Sequence, residues 1–88
     1  MSISNEREVM DMTRKEFEQS NEFKEMVKKI TMYPKGFYFT LPIYKMTIGQ
    51  RNAINITTRH CIDSGVISSV SIGLDIAGNI VEETYIRL

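Results

Sequence analysis

Apolar residues change their period along this chain, from every third or fourth position in the N-terminal third to every second position after Gly36. In the first part Val9, Met12, Phe23, Met26, Val27 and Ile30 share one side of a helix, with Glu16, Gln19 and Ser20 interrupting the stripe. Two helix starts compete. Ser4 caps one long helix, whereas Thr13 with Glu16 forms a capping box that Met12 and Phe17 would staple. A break near Thr13 or Ser20-Asn21 reconciles them. Lys28 and Lys29 suit the negative end of the helix dipole, and Tyr33-Pro34-Lys35-Gly36 closes a helical region spanning 1–33. On its back, Ile3, Met10 and Phe17 recur every seven residues. That stripe reads either as scattered surface hydrophobics or as a contact for self-association or a protein partner.

From Gly36 to Lys45 the alternation is strict, with Phe37, Phe39, Leu41 and Ile43 on one face and Tyr38, Thr40, Pro42 and Tyr44 on the other. Pro42 lacks an amide hydrogen, which puts this strand at a sheet edge. A turn at Ile48-Gly49, or a four-residue loop, would then pair Ile43 with Ile54, Leu41 with Ile56 and Phe39 with Thr58. Further on, Ile62-Asp63-Ser64-Gly65-Val66 and Asp75-Ile76-Ala77-Gly78-Asn79 each set a glycine where a three-residue turn needs positive φ. Two hairpins follow. The first sets Ile54, Ile56, Thr58 and His60 against Leu74, Ile72, Val70 and Ser68. The second sets Leu74, Ile72, Val70, Ser68 and Val66 against Ile80, Glu82, Thr84, Ile86 and Leu88.

The segment from Thr47 to Ile62 carries both signals. As a helix it has Thr47 as N-cap and Gly65 as terminator, with Arg51, Asn52, Asn55 and Arg59 on one polar side. As a strand it has the β-branched run Ile54-Asn55-Ile56-Thr57-Thr58, which suits a pleated sheet better. The pattern therefore predicts one α+β domain over 1–88, an N-terminal amphipathic helix packed on a four-stranded antiparallel β-meander over 36–88. The alternative is α-β-α-β-β, with 47–63 helical and a three-stranded sheet.

Composition adds little to this until charge is placed along the chain. The total is zero over 88 residues, yet 24–60 hold seven bases and one acid, and also Tyr33, Phe37, Tyr38, Phe39 and Tyr44, five of the eight aromatics. A basic, aromatic-rich segment suits a nucleic-acid contact. The lone Cys61 rules out an intramolecular disulfide, and neither a secretory signal nor a membrane-spanning run is read, so a cytoplasmic protein is expected.

Nothing in the sequence has the spacing of a catalytic or metal motif, and neither enzyme activity nor a cofactor is expected. His60 and Cys61, adjacent in a strand, would point to opposite faces. Under the meander the open face would align Tyr38, Arg59, Ser69 and Tyr85, with Asn55 nearby and Tyr44, Lys45 and Arg51 extending one end. Two tyrosines and an arginine in line would stack unpaired bases and meet phosphate. The expected ligand is RNA or single-stranded DNA. The rival is a protein target, bound as an inhibitor or adaptor binds, through the Ile3/Met10/Phe17 stripe or a sheet edge.

Overall fold

The computed structural model describes residues 13–88, in the order α1 (Arg14–Phe17), α2 (Asn21–Met32), β1 (Tyr38–Leu41), a 3₁₀ turn (Ile43–Lys45), α3 (Ile48–Asp63), β2 (Ile67–Leu74) and β3 (Ile80–Arg87). The fold is α+β, with helices on one side of a three-stranded antiparallel sheet of order β1-β3-β2. It corresponds to the alternative reading of the sequence. Among the described residues no helix is long and apolar enough to cross a membrane.

Local signals explain the first half. Thr13 and Glu16 close a reciprocal capping box, the Thr13 amide donating to Glu16 Oε1 at 2.9 Å and the Glu16 amide to Thr13 Oγ1 at 3.2 Å. Ser20 then makes the break, donating its hydroxyl to the Phe17 carbonyl at 2.7 Å while accepting from the Phe23 amide at 3.1 Å. One side chain thus ends α1 and starts α2. The second helix stops at Met32 because Tyr33 precedes Pro34 and is extended. Gly36, at φ +85°, donates to the Arg87 carbonyl at 2.7 Å and ties β1 to β3.

The predicted second strand is instead α3, and the reasons are local and tertiary. Thr47 and Gln50 form a second capping box. Thr57 and Thr58 return their hydroxyls to the carbonyls of Ala53 and Ile54 at 2.8 and 2.9 Å. Each β-branched residue costs a helix about 0.5 kcal/mol against alanine, whereas burying one isoleucine returns about 1.5–3 kcal/mol. Ala53, Ile56, Thr57 and Cys61 are all buried, so packing outweighs propensity.

With that strand gone, Ile62–Val66 is a helix end and not a hairpin. The Val66 amide donates to the Cys61 carbonyl at 2.8 Å and the Gly65 amide to Ile62 at 3.0 Å, a Schellman pair with Gly65 at φ +75°. β1 is an edge strand, as Pro42 implies, but its neighbour is β3.

The second hairpin forms at the predicted turn, the Asp75 amide donating to Asn79 at 3.0 Å. Its register agrees with prediction at Leu74↔Ile80 and Ser68↔Ile86 and is one residue off between, where Ile72 meets Glu83 and Gly73 meets Glu82. Val81 and Val70 are the extra residues of two opposed irregularities. The faces near Tyr85 are consequently reversed from expectation. Ile67 and Tyr85 point at the helices and are buried with Ile30 and Cys61, and Tyr85 stacks on Phe39 at 5.6 Å.

A second core cluster joins Phe17, Phe23, Ala53 and Ile56. Phe17 is fully buried, so it belongs to the core and not to an outward stripe. Ile3 and Met10 lie outside the described residues.

Candidate nucleic-acid interface

Helix α3 organises the site because three sides of it meet different surroundings. Ala53, Ile56 and Thr57 pack toward α1 and α2, where Thr57 Oγ1 lies 3.6 Å from Met26 Sδ. Cys61 and Thr58 face the sheet, and burial pushes the Cys61 thiol up from its ordinary value. Ile48, Arg51, Asn55 and Arg59 occupy the remaining arc and are exposed. At 1.5 Å per residue, successive turns set the three polar side chains about 6 Å apart along the axis.

Beside this arc runs an open groove between α3 and the distal part of the sheet. One section, of about 340 Å³, is lined by Ile43, Ile48, Arg51, Asn52, Ile54, Asn55 and Glu83. An outer section adds Tyr44 and the hairpin residues Asp75 and Gly78 to Val81. An inner one, of about 240 Å³, is bounded by Asn55, Thr58, Arg59, Ile62, Ser69, Ile72, Glu83 and Tyr85. Glu83 lines all three sections. Its carboxylate accepts the Tyr85 hydroxyl, and the phenol is pushed up to about 12, by burial first and that bond second.

Glu83 is a carboxylate that shares the groove with the cations of the arc, and among the described residues no carboxylate lies within ion-pair distance of them. Among the described residues the ion pairs are Arg14 with Glu18 and with Asp63, and His60 Nδ1 at 3.6 Å from Glu18 when protonated. Neither Arg51 nor Arg59 takes part. Lys45 Nζ stands 5.5 Å from the Tyr44 ring centroid, a cation–π contact at the outer mouth.

Five expected site residues therefore converge on one groove: Tyr44, Arg51, Asn55, Arg59 and Tyr85. Lys45 adjoins it. Tyr38 does not, because it is exposed on the opposite sheet face, in register with Ile86. Tyr38 and Tyr85 cannot form one platform, and the open face carries Tyr38, Thr40, Thr84 and Glu82 in place of arginine. There Thr40 and Thr84 join hydroxyls at 2.9 Å. His60 is also displaced from its expected partner Ser68, meeting the Phe23 ring edge-on at 5.0 Å. Period two puts Glu83 on the face of Tyr85, as the sequence implies, but its place at the centre of the groove was not among the expected site residues.

Comparison with protein-family models, with curated proteins and with solved structures finds no match for this chain.

Proposed function

We propose that this is a non-catalytic nucleic-acid-binding protein whose contact surface is the exposed arc of α3. The observation that carries the reading is Arg51 and Arg59, both exposed and outside the ion pairs formed among the described residues, with Asn55 one turn from each. Arginine serves phosphate and guanine, and asparagine pairs its amide with adenine. A helix of this kind fits the major groove of a duplex, with its N-terminal half against base edges. A stacked single strand needs an aromatic platform, and only Tyr44 offers an exposed ring beside the arc. Duplex DNA is thus the better-fitting ligand.

Anisotropy titrations against duplex DNA, single-stranded DNA and RNA at several salt concentrations test this. Arg51→Ala and Arg59→Ala should each weaken binding, and each lost phosphate contact should reduce the salt slope by about 0.9 on a duplex or about 0.7 on a single strand. Tyr38→Ala, on the far face, should change nothing. Lys28 and Lys29, exposed on α2, should affect only long-range attraction. Absence of binding at low salt would sink the proposal, and weakening by Tyr38→Ala alone would return the contact to the open sheet face.

A further inference from the structure

The two outer strands of the sheet are protected very differently. β1 has four residues and stops at Pro42. β2 has eight residues, Ile67–Leu74, with no charge and no proline among them, and among the described residues it pairs only with β3. Five of the eleven large apolar side chains exposed in the described structure lie on this hairpin: Val70, Ile72, Leu74, Ile76 and Ile80. Exposed apolar side chains concentrated on one element mark it as a candidate contact surface.

We infer that the outer edge of β2 pairs antiparallel with β2 of a second copy of this chain, giving a weak homodimer with a continuous six-stranded sheet. The Asp75 amide donates to Asn79, so the alternating antiparallel pattern turns the main-chain N–H and C=O groups of Leu74 and Ile72 away from β3. The irregularity at Val70 interrupts the ladder on the other side, which limits the pairing segment to 71–75. A twofold axis at Gly73 then sets Ile72 opposite the partner's Leu74, Leu74 opposite the partner's Ile72, and Ser71 opposite the partner's Asp75. Apolar meets apolar, and the single charge meets a hydroxyl donor.

That self-complementarity favours a second copy over a foreign strand. The one charge on the edge, Asp75, is already engaged by Asn79 of its own hairpin and is not free to select a foreign peptide, and like charges never face each other across the axis. The short segment keeps the buried area below that of a standard interface, so the dimer is concentration-dependent. Both α3 helices would lie on one side of the joined sheet.

Sedimentation equilibrium over a concentration series tests the inference. The wild type should move from the 10.2 kDa chain mass toward twice that value as concentration rises. Ile72→Lys and Leu74→Lys should each weaken association at least tenfold, because the lysines would face apolar neighbours across the axis. Both positions are more than half exposed, so the fold should persist in circular dichroism. Ile48→Lys, exposed but off the edge, should dimerise normally. In the wild type, the amides of Ile72 and Leu74 should exchange more slowly as concentration rises. A wild type that stays monomeric into the high micromolar range, or a dimer that survives both lysine substitutions, overturns the inference.

Discussion

Gly65 and Gly78 occupy the same place in two look-alike pentapeptides and have nearly the same φ, +75° and +86°, yet one ends a helix and the other closes a hairpin. In neither case would an added Cβ meet anything within 4 Å, so backbone conformation alone selects glycine. The difference lies in what each reversal joins. Gly65 lies between Cys61 and Ile67, both fully buried, whereas Gly78 sits at an exposed tip beside the fully exposed Ile76. A glycine at positive φ announces that the chain turns back. It does not say whether a helix or a strand came before.

The comparison is most sharply tested by Gly65→Val. Forcing a β-branched residue into the left-handed region costs roughly 2–3 kcal/mol where the surroundings cannot relax. At Gly65 the Val66–Cys61 bond and the buried Ile67 hold the backbone in place. Urea unfolding should show that loss. A variant as stable as the wild type would mean that the helix end can be rebuilt without a left-handed residue.

Tyr85 reports on the same packed end through pH. Its pKa is pushed up from 10.0 to about 12, by burial and then by its bond to Glu83. The folded value exceeds the unfolded one, so this stabilisation is complete below pH 10 and is lost as pH rises toward 12. The loss should be on the order of 2 kcal/mol. Tyr85→Phe should flatten the alkaline limb of a stability profile, and an unchanged limb would show that the phenol is not the titrating group.

These elements also show what could be read in advance. The Thr13/Glu16 box, the break at Ser20-Asn21, the stop before Pro34, the edge position of β1 and the Asp75–Asn79 turn were all legible, because each is fixed by neighbours in sequence. Helix α3 was visible only as an alternative. Its Thr47/Gln50 box repeats the first, but Ile54, Ile56, Thr57 and Thr58 argue for a strand until the burial of Ile56 and Thr57 is known. The offsets at Val70 and Val81 were hidden because they cancel, restoring the register at Ser68↔Ile86. The same holds for the site. Arg51, Asn55 and Arg59 share an arc at helical spacing, whereas the Tyr38–Tyr85 pairing depended on a neighbouring strand that does not exist.

At the exposed turn, effects should be smaller. Gly78→Val should cost about 1 kcal/mol, since a hairpin tip can rearrange around the substitution. For a domain of this size that is a fall in Tm of about 4–8 °C. A loss equal to that of Gly65→Val would erase the distinction between the two turns and imply that the tip is held as firmly as the helix end.

The smallest expected effect belongs to Asp75. Its carboxylate accepts from the Asn79 amide at 2.9 Å and from the Asn79 side chain at 3.3 Å. The Asn79 amide is the main reason that its pKa falls below the ordinary carboxylate value, with help from the amides of Ala77 and Gly78. Because the folded value is the lower one, the stabilisation is present above the ordinary carboxylate pKa and is lost as pH falls through the folded value. Asp75 is exposed, so solvent screens these bonds and the loss should stay local. Acid titration followed by amide resonances should shift Ala77, Gly78 and Asn79 while the buried Ile67 and Cys61 stay fixed. Asp75→Ala should abolish that titration and barely move the global melt. If protonating Asp75 unfolded the Gly65 end as well, the two turns would belong to one cooperative unit, and the hairpin tip could not be treated as a separate, weakly held surface.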